Sequence, residues 1–182
     1  ILSIAEAIKI CGLQNDNKKY FLAHPTFSPD GYKFLSLLRY FSDDNNLISY
    51  LIYFDCKNNN HKILAKERVS HFEWLDNNTI VVWARKLPTG IQSIRSNFII
   101  EKYLISNLKK LIKKLNPKLK KKILSTHYYI IKINNNNKSE IINNNLLDVD
   151  GHPQISHDGK YLIFDTYADE LNYQSLILYN LK

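Results

Sequence analysis

The sequence has few cysteines and glycines, no methionine, and no long run of apolar residues. Its two cysteines, Cys11 and Cys56, are too few for a disulfide framework and favour a reducing compartment. No apolar stretch reaches about 18 residues, so the sequence predicts no transmembrane helix. Residues 1–10 contain Glu6 and lack the basic flank of a signal peptide. A cytoplasmic location is therefore expected, with a periplasmic one left open.

Aromatic residues are abundant by contrast. The chain has 182 residues, of which 45% are hydrophobic, so it can bury a sizeable core. It contains 12 Tyr and 8 Phe against 5 Gly, a balance that favours strands, because aromatic side chains suit a pleated, half-buried surface.

The positive charge belongs to one segment. Eight lysines between residues 109 and 122, where no acidic residue occurs, account for the whole formal net charge of +8. A polyanionic glycan, an anionic membrane surface or nucleic acid could bind such a segment. No aromatic residues alternate with these lysines for base stacking, so we expect no nucleic-acid binding. Membrane contact through residues 109–122 is a secondary expectation, after that of a solvated helical hairpin.

An eight-residue motif occurs twice in full and once in a degenerate form. Residues 24–31 read HPTFSPDG and residues 152–159 read HPQISHDG, so the copies share His, Pro, Ser, Asp and Gly. Residues 71–77 read HFEWLDN, a copy whose turn is one residue shorter. An apolar run follows each copy. Self-similarity of this kind is the signature of a repeat architecture.

Each copy of the motif predicts a β-hairpin. The Asp-Gly or Asp-Asn pair suits a tight turn, because Asp hydrogen-bonds the local backbone and Gly or Asn tolerates positive φ. The apolar run then returns antiparallel to the first strand. Third strands are predicted at 47–55, 128–133 and 175–180, and fourth strands at 61–65 and 140–142. Four strands in about 40–50 residues form a β-propeller blade.

The spacing of the motif histidines locates an insertion. His24 and His71 are 47 residues apart, whereas His71 and His152 are 81 residues apart. The excess matches residues 96–125, where apolar residues recur at helical spacing and lysines occupy the other face. We therefore predict an all-β chain, residues 1–182, forming about three blades of one β-propeller with a lysine-rich helical insertion.

Three blades are too few for a closed propeller, which has about four to eight. The complete propeller is expected to have six or seven blades. We therefore expect the chain to be part of a longer protein, or to have neighbouring blades outside this sequence.

The FSPDG run at residues 27–31, with an apolar strand behind it, resembles the TolB-type propeller repeats. Residues 150–159, residues 165–167 and residues 69–74 resemble bacterial propellers related to the oligogalacturonate lyases. In such lyases, histidines from different blades hold a divalent metal, typically manganese, at the mouth of the central channel. The metal binds a uronate carboxylate during β-elimination. The resemblance therefore implies a carbohydrate-directed protein that binds an acidic oligosaccharide. The activity it suggests is that of a metal-dependent lyase acting on uronate sugars.

The motif histidines are the candidate metal ligands. His24, His71 and His152 start the innermost strands of successive blades, so all three are predicted to face the channel mouth. Imidazoles converging there suit Mn, or alternatively Zn or Fe. In the competing interpretation, these histidines bond the loop backbone at each blade junction, and the protein is a non-catalytic module that binds a protein or scaffolds an assembly.

Other polar residues near the motif are candidates for contacts with a ligand or with the histidines. Asp165 and Tyr167 follow the returning strand and are candidate sugar contacts, or else core or loop residues. Asp148, Asp150 and Glu73 lie near the motif histidines and could orient them, although turn chemistry is the simpler interpretation. The lyase family's metal-binding glutamine has no certain match, with Gln154 nearby.

The sequence does not identify the catalytic residues. Arg39, Arg68 and Arg85 have the type expected of a proton-abstracting base, and the sequence singles out none of them. No nucleotide-binding glycine loop, nucleophile elbow or Cys-x-x-Cys pair is present in the sequence. Cys56 is expected to be a buried or half-buried thiol.

Two further sets of residues are expected to be structural. Trp74 and Trp83 are predicted to pack between blades, with sugar stacking as the alternative. Three isolated histidines, His61, His127 and His157, carry no site, and His157 is expected to be exposed in its turn.

Overall fold

The computed structural model describes residues 2–14, 16–85, 126–134, 138–142, 147, 149–169 and 171–181. Within these ranges the chain is all-β apart from one short helix, and its strands form three antiparallel sheets. The predicted insertion at 96–125, with the lysine segment 109–122, lies outside the described residues. Among the residues described, no helix has the length and apolar character needed to span a bilayer.

The strands follow the order predicted from the repeat. The elements are α1 (Ile4–Ile10), β1 (Phe21–Phe27), β2 (Lys33–Phe41), β3 (Leu47–Asp55), β4 (Asn60–Glu67), β5 (Val69–Asp76), β6 (Thr79–Arg85), β7 (Thr126–Lys132), β8 (Lys138–Ile141), β9 (Pro153–Ile155), β10 (Tyr161–Asp165) and β11 (Leu176–Asn180). Sheet 1 is β1-β2-β3-β4, sheet 2 is β5-β6-β7-β8, and sheet 3 is β9-β10-β11. The predicted hairpins and third strands are confirmed.

The motif turns form as their residues predict. The Ser28 hydroxyl donates to Asp30 at 2.6 Å, and Gly31 takes φ of 72°. The copy at residues 152–159 repeats this arrangement, since the Ser156 hydroxyl donates to Asp158 at 2.7 Å and Gly159 has φ of 70°. The two full copies of the motif are therefore the same turn in structure as well as in sequence.

Each sheet has two faces that the motif distinguishes. The third motif residue pairs with Leu35 in sheet 1, Val81 in sheet 2 and Ile163 in sheet 3. We call the face that carries these three residues the front face of each sheet. The fourth motif residue pairs with Phe34, Ile80 or Leu162 in the same three sheets, and we call that side the rear face.

The sheets stack front to rear. One core packs the front face of sheet 1, with Leu35 and Tyr53, on the rear face of sheet 2, with Trp74 and Ile80. A second core packs the front face of sheet 2 on the rear face of sheet 3. Sheet 2 is therefore covered on both faces, which explains why residues 80–84 are apolar without alternation.

Helix α1 covers part of the rear face of sheet 1. Ser3 and Glu6 form a capping box at its start, in which each side chain accepts a hydrogen bond from the other residue's backbone N–H. Ala7, Ile8 and Cys11 then pack against Leu38 and Ile52 of the sheet. The sequence prediction did not include this helix.

Cys56 corrects one expectation. It was predicted to be buried or half-buried, whereas the structure exposes it. It lies in the turn between β3 and β4, beyond the strand end, where Asp55 accepts hydrogen bonds from the backbone of Lys57 and Asn58. Cys11 is the buried cysteine.

The described residues thus form a stack of three antiparallel sheets, with one short helix beside them. Three sheets are fewer than a closed propeller contains. The propeller itself accordingly stays a prediction.

Candidate functional site

Irregularities in strand pairing position two of the motif histidines. The β1–β2 pairing shifts between Ala23 and Thr26, and the β5–β6 pairing shifts between Val69 and Phe72. His24 and His71 lie within these two shifts. His24 also takes φ of 52°, a value uncommon for a residue with a side chain. Bulges of this kind re-aim side chains and are frequent beside functional sites.

The three motif histidines come together from three different sheets. The ring centroids of His71 and His152 are 4.1 Å apart, and those of His24 and His71 are 6.5 Å apart. Tyr167 adjoins the same group, with its ring centroid 6.1 Å from that of His71 and 5.9 Å from that of His152. We call His24, His71 and His152 the histidine cluster.

Asp150 holds His71 from the segment that leads into sheet 3. Its carboxylate contacts His71 Nδ1 at 3.0 Å and accepts the Ser70 hydroxyl at 2.8 and 2.7 Å. With Nδ1 engaged by a carboxylate, the other ring nitrogen, Nε2, is the one left to accept a ligand. The Tyr167 hydroxyl lies 3.5 Å from this nitrogen, a long and therefore weak contact.

Asp165 holds His152 in the same way. Its carboxylate accepts the backbone N–H of His152 and lies 2.9 Å from His152 Nδ1 through each oxygen. The backbone hydrogen bond is the main reason that the pKa of Asp165 is lowered, followed by the side-chain bond to the same histidine. Asp165, predicted as a sugar contact, is therefore a direct partner of a cluster histidine.

Gly151, between Asp150 and His152 in sequence, permits the backbone to pass close to Asp165. A Cβ on Gly151 would lie 1.7 Å from the backbone oxygen of Asp165. The buried Tyr128 hydroxyl donates to the Gly151 carbonyl at 2.9 Å. The junction between sheets 2 and 3 is thus held by Asp150 and by the Gly151 carbonyl, while Asp165 fixes His152 within sheet 3.

Two open pockets adjoin the cluster. The first, about 290 Å³, is lined by residues of all three motif copies, among them His24, Thr26, His71, Glu73 and His152. The second, about 430 Å³, opens along the front face of sheet 3 and is lined by Glu73, His152, Gln154, Ile163, Asp165 and Leu176. Both pockets combine imidazole, carboxylate and apolar side chains, so they suit a polar ligand of small size.

Arg39 is the arginine that the structure brings near the cluster. It is half-buried, and its guanidinium donates to the Ser49 hydroxyl and to the Ser70 carbonyl, both at 3.2 Å. Burial lowers the pKa of Arg39, while the neighbouring Asp150 carboxylate acts in the opposite direction. An arginine keeps its charge under such conditions, so a fixed cation lies beside His24 and Asp150.

The electrostatics favour neutral imidazole at His24. Burial lowers the pKa of His24, and the electrostatic influence of the neighbouring Arg39, His71 and His152 lowers it further. Neutral imidazole is the form that binds metal ions. The carboxyl of Glu73, which lines both pockets, has a raised pKa because it is buried, and it accepts the backbone N–H of Trp74.

The donor chemistry of the cluster fits a divalent transition metal, while the present ring positions do not gather three donors. Neighbouring imidazoles on one ion, bound at about 2.1 Å, have ring centroids roughly 4.5 to 5.5 Å apart. The observed separations of 4.1 and 6.5 Å fall on either side of that range. Accordingly, no group of three or more His, Cys, Asp or Glu in the described part of the chain is arranged to hold an ion.

Other residues with predicted roles take varied positions. Gln154 pairs with Ile163 and lines the second pocket. Trp74 and Trp83 are 2% and 6% exposed in the cores between sheets, as predicted. Asp148 lies outside the described residues, and Arg68 is exposed. Arg85 ends β6.

The isolated histidines belong to other parts of the fold. His61 stacks on Phe54 at a centroid distance of 6.4 Å, and His127 lies 6.4 Å from Tyr129 in β7. His157 is exposed in its turn, as predicted. The pairing of His71 with Asp150 spans 79 residues, and no local sequence pattern indicates it.

No protein-family model matches this sequence, and no curated protein matches it either. Among solved structures, an oligogalacturonate lyase in complex with manganese has a TM-score of 0.47 and 12% identity. That similarity covers 93% of this chain and 37% of the lyase. The isopeptidase AtxE2, in its apo form, has a TM-score of 0.34 and 13% identity, over 86% of this chain and 24% of the isopeptidase. The chain therefore spans well under half the length of both proteins, and the similarity is distant.

Proposed function

We propose that this chain forms part of a β-propeller that acts on acidic sugars, with His24, His71 and His152 binding a divalent metal ion. The observation that carries the proposal is the convergence of these histidines. They are separated by 47 and 81 residues in the sequence, and each begins the same motif in a different sheet. Histidines that only stabilise separate junctions between sheets would not be expected to line one pocket, as these three do.

The surroundings of the cluster support ligand binding. Asp150 and Asp165 each hold one histidine by Nδ1, so both imidazoles present Nε2. Carboxylate partners of this kind fix the tautomer of metal-binding histidines and raise their basicity. Manganese is the proposed ion, with zinc or iron as alternatives. Binding would require small rotations of the rings, because the three donors are not gathered in the present arrangement.

A lyase reaction on a uronate sugar needs two contributions. The carboxylate of the sugar must be neutralised, so that the proton on the neighbouring carbon becomes acidic, and this is the chemistry a bound divalent ion supplies. A base must then remove that proton as the bond to the leaving glycosidic oxygen breaks. Arg39 contributes a fixed positive charge beside the cluster, and Asp165 and Tyr167 line its edge. The base is not assigned.

Metal content is the experiment that tests this proposal. The purified chain should be stripped with a chelator, reloaded with Mn²⁺, Zn²⁺ or Fe²⁺, desalted, and assayed by elemental analysis. We expect about one ion per chain, lost in a His24→Ala, His71→Ala, His152→Ala triple variant. A His61→Ala, His157→Ala double variant is the matched control, because both its histidines are exposed away from the cluster, and it should retain the ion.

The acidic-sugar part has its own test. The metal-loaded chain should be incubated with oligogalacturonides, and the unsaturated product of elimination followed by ultraviolet absorbance. Product formation that disappears in the triple variant would support a lyase. Metal binding without turnover, together with saturable binding of the uronide, would reduce the proposal to a metal-dependent sugar-binding module.

One observation favours a second candidate, a non-catalytic binding or scaffolding module. The contacts of Asp150 with Ser70 and His71 tie the segment before sheet 3 to sheet 2, and Asp165 holds His152 within sheet 3, all without any ion. If the histidines have this role alone, no metal should bind to the wild-type chain or to either variant. That outcome would favour the module over the enzyme.

A further inference from the structure

Each histidine of the cluster follows a residue whose backbone carbonyl accepts a hydrogen bond from a side chain. The three donors are an aliphatic hydroxyl, a guanidinium and a phenol. We call them the anchor residues: the Ser36 hydroxyl donates to the Ala23 carbonyl at 3.2 Å, the Arg39 guanidinium to the Ser70 carbonyl at 3.2 Å, and the Tyr128 hydroxyl to the Gly151 carbonyl at 2.9 Å. The same point of the motif is therefore held in all three copies, each time by a different chemical group.

The irregular strand pairing explains why these carbonyls need a donor. The pairing of β1 with β2 shifts after Ala23, and that of β5 with β6 shifts after Val69, so the ladder is interrupted where each histidine lies. Gly151 lies two residues before β9 and so outside the ladder. A carbonyl that loses its ladder partner away from water is costly unless another donor replaces it. Each anchor residue supplies that donor and ties the backbone beside a histidine to a particular neighbour.

The register of the sheets shows which neighbour that is. Counted from the motif turn, Ser36 occupies the strand position that Val82 has in sheet 2 and Phe164 has in sheet 3. Both of these side chains are buried, and neither has a donor group. In these two copies the donor comes instead from the preceding sheet, since Arg39 belongs to sheet 1 and Tyr128 to sheet 2. These two anchor residues therefore cross from one sheet to the next, whereas Ser36 acts within its own sheet.

Tyr128 is a rigid anchor. Its ring is 1% exposed and packs against Trp83 of sheet 2 and Phe164 of sheet 3, at centroid distances of 4.8 and 4.5 Å. A close-packed ring has little freedom to move. The hydroxyl therefore holds the Gly151 carbonyl, and with it the backbone beside His152, at a fixed distance from sheet 2.

Arg39 is held at two points. Its Nε donates to the buried Ser49 hydroxyl of β3, and its Nη2 donates to the Ser70 carbonyl of β5. Because the guanidinium is planar, fixing one nitrogen restricts the other. The Asp150 carboxylate bonds the side chains of Ser70 and His71. The backbone beside His71 is thus tied to sheet 1 by a cation, and its side chain is tied to the segment before sheet 3 by a carboxylate.

We infer that Arg39 and Tyr128 are positioning residues of the candidate metal site. Arg39 sets the separation of His24 and His71, because it fixes the second histidine relative to sheet 1. Tyr128 likewise sets the separation of His71 and His152. With the backbone fixed beside each imidazole, the side-chain torsions are left to gather the donors around an ion, and such preorganisation raises affinity. The inference rests on the proposed function, since it concerns the same three histidines.

Isothermal titration with Mn²⁺ tests the inference on matched variants. Arg39→Met and Tyr128→Phe each remove one anchor bond, and each should raise the Mn²⁺ dissociation constant at least about 10-fold, as loss of other ligand-orienting groups does. Lys62→Met is the control for Arg39. The Lys62 ammonium also crosses from sheet 1 to donate to a carbonyl, that of Ile133, but beside the turn between β5 and β6 at the other end of the strands. Tyr53→Phe is the control for Tyr128, since Tyr53 is buried in the core between sheets 1 and 2. Both controls should keep wild-type affinity.

Arg39→Lys separates position from charge. Lysine keeps a positive charge near Asp150 but lacks the planar fork that bonds Ser49 and Ser70 together. We expect Arg39→Lys to bind Mn²⁺ as weakly as Arg39→Met. Full recovery of affinity would overturn the positioning role of Arg39, because charge alone would then be sufficient. Tyr128→Phe keeps its packed ring, so the test stands on that variant if Arg39→Met does not fold.

Histidine ring signals in NMR spectra of the chelator-treated chain provide a measurement that needs no metal. Tyr128→Phe should move the ring signals of His152, and Arg39→Met should move those of His71. The signals of His61, which stacks on Phe54 in sheet 1, should stay in place in both variants.

The two measurements together separate this inference from the proposed function. Wild-type Mn²⁺ affinity in both anchor variants, equal losses in the controls, or cluster signals that do not move would overturn the inference and leave the proposed function standing. A wild-type chain that binds no Mn²⁺ would overturn the proposed function instead. The metal-free ring signals would then decide by themselves whether the anchor residues position the histidines.

Discussion

Asp150, Gly151 and His152 lie at the junction of two sheets, where Asp150 contacts sheet 2 and both of the other residues lie against Asp165 of sheet 3. Asp150 contacts Ser70 and His71, Gly151 approaches the Asp165 backbone and receives Tyr128, and His152 bonds Asp165. The separation of His71 and His152 depends on all of these contacts, because the two histidines belong to different sheets. Substitutions at this junction should therefore affect the cluster as well as stability.

Gly151→Ala should be strongly destabilising. Its added methyl group would lie 1.7 Å from a backbone oxygen, which cannot move aside as a flexible side chain could. We expect the free energy of unfolding, measured by chemical denaturation, to fall by about 3 kcal/mol or more. Gly159→Ala, where φ is 70° but nothing lies within 4 Å, should cost only about 1–2 kcal/mol. Equal effects of the two substitutions would contradict the close approach at Gly151.

Asp150→Ala should weaken metal binding while the fold persists. Removal of the carboxylate leaves His71 Nδ1 without its partner, and lost partners of this kind reduce metal affinity by about 10–100-fold. Isothermal titration with Mn²⁺ measures the change. Asp43→Ala, an exposed aspartate in the turn between β2 and β3, is the control and should leave affinity unchanged. Unaltered affinity in the Asp150 variant would argue against His71 as a ligand.

At the scale of elements, helix α1 offers a test through its cysteine. Burial raises the pKa of the Cys11 thiol to about 12, because the helix packs this side chain against sheet 1. Cys56 is exposed. A disulfide reagent at about pH 8 should therefore titrate one thiol per folded chain and two after unfolding. Cys56→Ser should remove the fast reaction, and two fast thiols in the wild type would mean that α1 is not docked.

The raised pKa of Cys11 also sets a direction for stability against pH. The neutral thiol is the form that the folded state prefers, so its contribution is complete below the unfolded thiol's pKa of about 8.5. The contribution is then lost progressively as pH rises from there towards the folded value of about 12.

Trp74 and Phe27 occupy the same motif position on two different sheets and should respond differently to truncation. Trp74→Ala removes a side chain that is 2% exposed, and we expect unfolding free energy to fall by about 3–5 kcal/mol. Phe27→Ala, at a position that is 64% exposed, should lower it by less than about 1 kcal/mol. Chemical denaturation curves measure both changes. Equal costs for the two substitutions would contradict the burial of this motif position between sheets 1 and 2.

The sequence predicted strands better than it predicted partners. The motif turns, hairpins and third strands follow from local chemistry, such as Ser28, Asp30 and Gly31 in one turn, so each could be read from a few residues. Helix α1 had a local signal, the Ser3–Glu6 capping box, but its seven residues are too short for periodicity to reveal. The predicted burial of Cys56 was wrong because this residue directly follows the apolar strand β3 and already belongs to the exposed turn.

The candidate site divides in the same way. The shared register of His24, His71 and His152 was visible in the sequence, since each begins a motif. Their carboxylate partners were not, because Asp150 reaches across sheets to His71 rather than orienting the neighbouring His152. Arg39 was one of three equivalent arginines until the fold placed it beside Ser70. Contacts between repeats depend on how the sheets stack, which no single repeat encodes.

On the scale of the whole molecule, the repeated stacking of sheets is what creates the cluster. The motif histidine lies within the first strand of sheets 1 and 2 and directly before the first strand of sheet 3, and front-to-rear packing brings the three histidines together. The candidate metal site is therefore a consequence of the repeat together with the way its sheets stack.

Histidine side-chain NMR during titration with Mn²⁺ tests the central claim most directly. The chain has six histidines, and single His→Gln variants would assign their ring signals. Because Mn²⁺ broadens signals of nearby nuclei, the account predicts that His24, His71 and His152 lose their signals together at low metal-to-protein ratios, while His61, His127 and His157 keep theirs. Broadening of all six in proportion to exposure, or none at the cluster, would contradict a shared metal site.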